Sequence, residues 1–325
     1  MKKILSLTLV LMLAFCFVAC SGDGTTDDGL IRIGFAQVGA ESDWRVANTN
    51  SMKETFTEAA GYDLQLVDCQ EKHENQISAV SDFIAQEVDY IIIAAVQEDG
   101  WDQVLGEAKA ADIPVILMDR TINTSDDNWV AWTGGNFLQE GKDAMTWLNG
   151  FLEEEGIADQ PMQILHMQGQ MGSSAQLGRT KGIEEGVAAN ANLSILAQQS
   201  GAFNKEKGKE VMESWLATYA GEDNLILIAE NDDMAYGAIE AMEAIGIAPG
   251  KDIYIVSFDS SKLALQTVID GKINCTVECN PLLAPAVKVI IDTLEAGGTP
   301  NKQEYVVEEF FDIKNAEERL ETRQF

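Results

Sequence analysis

Histidine is almost missing from this chain: His73 and His166 are the only two in 325 residues. Histidine is the side chain that titrates nearest neutral pH, so little is left for acid–base chemistry there. Positive charge is scarce as well. Lys and Arg number 22 against 53 Asp and Glu, a formal net charge of −31, and such a surface repels nucleic acid and anionic membrane faces. Among the five cysteines, Cys275 and Cys279 have no second pair and no histidine close by, which argues against zinc. Spacing leaves open whether either pairs with Cys69. The chain contains no P-loop, no Gly-x-Gly-x-x-Gly after a strand and no Gly-x-Ser-x-Gly elbow. Beyond residue 20 no apolar run is long enough to cross a membrane.

What is present begins with export. Lys2 and Lys3 precede an apolar run from Ile4 to Ala19, broken by Ser6, Thr8 and Cys16. The run is short for a membrane span and has the layout of a signal peptide, predicted over residues 1–19. Phe17-Val18-Ala19-Cys20 resembles the lipobox of bacterial lipoproteins, with Phe17 in place of the usual Leu. That resemblance implies a diacylglyceryl group on Cys20, and two acyl chains anchor stably where one does not. Residues 20–29, rich in Gly, Asp and Thr, read as a flexible tether.

Roughly 295 of the 325 residues remain, enough for two ordinary domains. Short apolar runs alternate with segments of helical spacing, the pattern of a parallel α/β sheet. Runs at 30–36, 64–67, 90–94 and 114–118 form one series; runs at 163–167, 194–197, 225–229, 253–258 and 273–277 form a second. Tyr90 to Ala94 and Leu225 to Ala229 are apolar almost throughout, as strands covered on both faces must be. Gly61, Gly156, Gly246 and Gly297 fall where helices should end. The first series ends near Trp132-Thr133-Gly134-Gly135 and the second starts near Met162. Two similar Rossmann-like lobes are predicted.

Each run ends in polar residues: Gln37, Asp68, Asp119-Arg120, Gln168, Gln199, Asn231-Asp232-Asp233, Asp259 and Glu278. In open parallel sheets ligands bind beyond the carboxyl ends of the strands. Two lobes facing each other would line one cleft with carboxylates, amides and arginines, which suits a neutral polyhydroxylated molecule.

At these residues the chain resembles the type I periplasmic sugar-binding proteins of ABC transporters, the ribose-binding group and within it the galactofuranose binders. The stretches that carry the resemblance are GFAQVGAESDWR (34–45), ENQI (74–77), IPVILMDR (113–120), GKEVMES (208–214) and NDDMAYGAI (231–239). It implies two lobes joined by three crossings, near Thr133-Gly134, near Cys279-Asn280 and near Pro300 to Glu304. Residues 30–133 plus 280–300 would then form the first lobe, and 134–279 plus 301–325 the second.

The resemblance also implies site residues. Trp44 offers an indole face to the C–H side of a sugar ring, and Arg45 a fork of donors. Asp119 and Arg120 form the family's strand-end pair, Arg179 opens a second-lobe helix, and Phe203 covers the opposite face of the ring. Asn231, Asp259 and Glu278 hold three further strand ends, with Gln70, Glu71 and Trp101 nearby. The implied function is capture by hinge closure of a monosaccharide, a galactose-type hexose in the furanose form, and delivery to an ABC permease. No cofactor, metal, catalytic residue or nucleic acid is expected, and the protein should be an extracytoplasmic monomer. Two alternatives remain: a receptor for a sensor kinase or chemoreceptor, and a two-carboxylate glycosidase, since 53 acids make carboxylate pairs inevitable.

Overall fold

A computed structural model describes residues 29–219 and 221–325. The signal segment, Cys20 and nearly all of the tether fall outside the described residues. None of the described helices is long and apolar enough to cross a membrane.

The chain runs β1 (Ile31–Gln37), α1 (Asp43–Thr55), β2 (Tyr62–Asp68), α2 (His73–Ala85), β3 (Tyr90–Ile93), α3 (Asp102–Ala110), β4 (Val115–Met118) and β5 (Ala131–Gly134). It continues with α4 (Phe137–Glu154), β6 (Met162–Gln168), α5 (Ser174–Ala189), β7 (Leu193–Ser200), α6 (Lys205–Tyr219), β8 (Leu225–Ala229), α7 (Asp232–Ala244), β9 (Ile253–Asp259), α8 (Lys262–Ile269) and β10 (Cys275–Glu278). The last elements are α9 (Ala284–Glu295), β11 (Gln303–Tyr305), β12 (Phe310–Asp312) and α10 (Ala316–Thr322).

Two six-stranded sheets result, in the orders β11-β5-β4-β3-β1-β2 and β12-β10-β9-β8-β6-β7. The second order repeats the first strand for strand, so one topology occurs twice, as two α/β lobes. The sheets are parallel except for β12, which runs antiparallel to β10. Every residue of β3, β4 and β8 is buried. These central strands carry helices on both faces, which is why their sequence is continuously apolar. The edge strands β2 and β7 are half exposed and correspondingly mixed.

Helices start at the carboxyl ends of the strands, so their N-termini point toward the cleft. Ser42, Asn136, Ser173, Asn231 and Ser261 cap α1, α4, α5, α7 and α8 through side-chain oxygens that accept a backbone N–H. Each such cap contributes about 1 kcal/mol and fixes where the helix begins.

The chain passes between the sheets after β5, after β10 and after β11. The third passage differs from expectation. Gln303–Tyr305 pairs with β5 in the first sheet, in the register Gln303↔Trp132, Glu304↔Thr133 and Tyr305↔Gly134. The crossing therefore falls at 306–309, not at 300–304, and residues 303–305 belong to the first lobe. The physical reason is the open edge of β5: β11 covers its backbone groups, and Tyr305 packs edge-on against Trp132 at 5.0 Å.

Candidate functional site

The two lobes are closed on one another. Across the cleft the N–H of Asp43 donates to Asp233 Oδ2 (3.0 Å), the N–H of Thr121 to Ser174 Oγ (2.9 Å) and Arg120 Nη1 to Gln170 Oε1 (2.8 Å). Between these contacts lies a small cavity of about 30 Å³. From the first lobe it is lined by Trp44, Arg45, Asp119 and Arg120, and from the second by Arg179, Phe203, Asn231 and Asp259. Eight of the residues singled out in the sequence thus share one wall-to-wall site.

Arg45 stands in the first turn of α1, where Ser42 Oγ accepts its backbone N–H. Its guanidinium reaches Glu41 Oε1 at 3.0 Å and Asp119 Oδ2 at 2.9 Å, and lies 4.6 Å above the Trp44 ring. Arginine therefore covers part of one indole face. The indole N–H of Trp44 donates to the carbonyl of Cys279 at 2.7 Å, on the second crossing. Arg120 donates to the carbonyl of Ala95 at 3.1 Å as well as to Gln170. Arg179 pairs with Glu140 Oε2 at 2.7 Å and approaches Asp259 Oδ1 at 3.5 Å. The Phe203 ring lies between two of the arginines, 5.5 Å from the Arg120 guanidinium carbon and 5.9 Å from that of Arg179. Asn231 Oδ1 caps α7 while its amide donates to the carbonyl of Phe203 at 3.1 Å, so it also fixes the loop that presents the ring.

Two strand ends bend sharply to serve the site. Asp119 has φ 65° and Asp259 φ 101°, left-handed conformations that cost an ordinary side chain energy and cluster at functional positions.

The charges balance only as a set. Burial works against the Glu41 carboxylate, but Arg45 and Arg120 outweigh it and hold its pKa below the ordinary value. Burial likewise opposes Arg45, and Glu41 with Asp119 overcomes it, raising its pKa. Arg120 is pushed down to about 10 by burial and by Arg45 beside it. Burial drives Asp259 well above the carboxylate range, with Arg179 countering it only in part. Several buried polar atoms here have no hydrogen-bond partner among the described residues: Glu41 Oε2, Arg45 Nη1 and Arg120 Nε. Leaving such a group unpaired costs about 1–3 kcal/mol, so the site favours a guest that offers both donors and acceptors. Hydroxyl groups do both.

The other sequence candidates lie elsewhere. Glu278, at the end of β10, is buried and paired with Arg323 and, at 3.1 Å, with Arg319; these C-terminal arginines use the carboxylate that was expected to face the ligand. Trp101 is fully buried in the first lobe, donating to the Gln97 carbonyl and packing on His73. Gln70 and Glu71 form a left-handed turn (φ 55° and 58°), and the N–H of Glu71 donates to the carbonyl of Val38, supporting the loop that leads to Glu41. Glu41, Ser42, Phe137, Ala175 and Cys279 line the cavity without having been singled out. For Glu41 the sequence held a signal: an acid just before a helix cap and four residues ahead of Arg45. Neither histidine lines the cavity; His166 is buried between Glu230 and Gln198.

Comparison with known proteins agrees with this geometry. A model of the periplasmic binding protein domain matches residues 33–290. The galactofuranose-binding protein YtfQ of Escherichia coli K12 is 39% identical over 298 residues, 90% of this chain and 92% of that protein. The crystal structure of a Mycobacterium smegmatis protein in complex with β-D-fucofuranose superposes with a TM-score of 0.85 at 40% identity, covering 90% of this chain and 94% of that one. The binding component of the arabinose ABC transporter of Shewanella sp. ANA-3, bound to α- and β-L-arabinofuranose, gives 0.83 at 38% identity, covering 90% and 95%. A topology that occurs twice, a cavity walled from both copies and sequence agreement along most of the chain lead to one conclusion: the chain belongs to the periplasmic binding protein family and is an extracytoplasmic binding protein, not an enzyme.

Proposed function

We propose that this protein captures a monosaccharide in its furanose ring form, a galactose-type hexose, and delivers it to the permease of an ABC transporter. The observation that carries this reading is the set of unpartnered donors and acceptors on Glu41, Arg45 and Arg120, closed over by Phe203 from the opposite lobe. A ring with hydroxyls at its edge and C–H groups on its faces matches both. The relatives support the ring form, since the proteins compared above carry fucofuranose and arabinofuranose or are named for galactofuranose. Binding bridges groups that belong to different lobes, so the ligand favours the closed form by the contacts it makes to both at once. Charged partners strengthen those hydrogen bonds once water is excluded.

Arg120→Ala and Asp259→Ala should each weaken sugar affinity by about tenfold or more in calorimetry, because each removes a polar group that lines the cavity and leaves the ring hydroxyl it would meet without a partner. Unchanged affinity in both removes this site. Carbon-13 NMR of labelled galactose bound to the protein should show a furanose anomeric signal; a pyranose signal overturns the ring-form assignment and leaves sugar capture standing. Cys20, as a lipid attachment point, would keep the receptor at the membrane, and Cys20→Ala should release it into the soluble fraction.

A further inference from the structure

Beside the cavity the three chain crossings meet at a buried cluster that the site does not explain. Glu140 in the first turn of α4, Cys279 on the second crossing and Glu308 on the third bring one side-chain atom each within 4.8 Å of the others. A Cβ at Gly135, on the first crossing, would lie 2.6 Å from Glu140 Oε1 and 2.6 Å from Glu308 Oε1, so both carboxyls converge on one glycine. Glu308 Oε1 accepts the N–H of Asn280 at 3.1 Å, tying the third crossing to the second. Glu140 Oε2 holds Arg179. Its other oxygen, Oε1, is buried with no partner among the described residues, and the Glu308 carboxyl is the acid that converges with it on Gly135, within 4.8 Å.

Two ionised carboxylates this close and out of water repel each other, whereas one proton between them turns the repulsion into a hydrogen bond. A metal ion is a poorer solution. Arg179 already occupies the other oxygen of Glu140, and burial drives the Cys279 thiol well above its ordinary pKa, away from the thiolate a metal needs.

We propose that Glu308 is a positioning residue of the sugar cavity: its protonated carboxyl donates to Glu140 Oε1 and, through Glu140, holds Arg179 in the ligand-facing orientation. This rests on the sugar-binding function given above. Burial, then the charge of Glu140, pushes Glu308 up to about 10. The other titratable or charged groups facing the pair are Arg179, Cys279 and Asp119, with Asp259 on the far side of Arg179. The folded protein holds this proton more tightly than the unfolded chain does. The stability it contributes is therefore complete below the ordinary glutamate pKa and is lost as pH rises through about 10.

The test uses the full chain, first without sugar. Infrared difference spectra between wild type and Glu308→Gln at neutral pH should show a protonated carboxyl band that the variant lacks. Calorimetry with the monosaccharide should then show Glu308→Ala weakened about tenfold or more, and Glu308→Gln, whose amide is a permanent donor, restored to within about threefold of wild type. Wild-type affinity should fall more steeply between about pH 8 and 10 than that of Glu308→Gln, whose remaining slope belongs to Arg120. A wild type without the carboxyl band overturns the proposal even if sugar binds normally, and so does a Glu308→Gln variant as weak as Glu308→Ala. Failure of the underlying function looks different: no sugar binds to the wild type, with the band intact.

Discussion

Asp233, the second residue of α7, closes one lip of the cleft by accepting the N–H of Asp43, the first residue of α1. Burial, then the negative charge of Asp43, pushes its pKa up to about 7. When the lobes part, its carboxylate returns to water and its pKa falls toward the ordinary range, so closure takes up a proton. Raising the pH must then oppose closure. Asp232, raised to about 6 by burial, is held by Ser257, Ser261 and Thr276 within the second lobe; it is alike in open and closed forms and cancels. Sugar affinity should fall about three- to tenfold from pH 5 to 8, and Asp233→Asn should flatten that slope while keeping the accepting oxygen. Calorimetry across that range decides the point: a slope unchanged in the variant assigns the proton elsewhere.

The pair α4 and α5 shows how an element positions a site from behind. A Cβ at Gly141 would lie 2.5 Å from the carbonyl of Arg179, and one at Gly182 would lie 2.6 Å from that of Leu138. The two helices thus touch backbone to backbone, and that contact brings Glu140 of α4 to Arg179 of α5. Gly141→Ala should force them apart, lowering stability by about 1–3 kcal/mol, seen as a reduced Tm, and weakening sugar binding through Arg179. A variant with lowered Tm and unchanged affinity would separate the packing from the site. Helices of this kind were legible in the sequence from apolar spacing, cap residues and terminal glycines. The strands β5, β11 and β12 were not: β11 and β12 hold only three residues, and Ala131–Gly134 lacks the continuous apolar run that made the equally short β3 and β4 visible.

At the scale of the molecule, few direct contacts hold the lobes together across the cleft. The Asp43–Asp233, Thr121–Ser174, Arg120–Gln170 and Glu98–Gly172 bonds are each single hydrogen bonds with a net worth of about 1 kcal/mol. That is a balance a ligand can tip. Small-angle scattering should show a larger radius of gyration for the sugar-free protein and a contraction on saturation with sugar. Equal radii in both states would remove hinge closure as the capture step. Trp44 should report the same event in fluorescence, since its indole lines the cavity and its N–H reaches the second crossing.

The amino-acid sequence alone determined the two α/β lobes, because fully buried parallel strands need continuous apolar runs and the helices between them need a 3.6-residue stripe. It also pointed to eight of the cavity residues: Asp119, Arg120, Asn231 and Asp259 because polar side chains beyond a parallel strand can face a ligand, and Trp44, Arg45, Arg179 and Phe203 through the family resemblance. Tertiary structure decided the rest. Glu278 satisfies the same strand-end rule as Asp259, yet Arg319 and Arg323, more than 40 residues later, take its carboxylate. The pairing of Gln303–Tyr305 with β5, the burial of Trp101 and the meeting of Glu140 with Glu308 likewise join segments far apart in the chain. Local spacing fixes which residues share a face of one element; which charge meets which partner is settled only when distant elements pack.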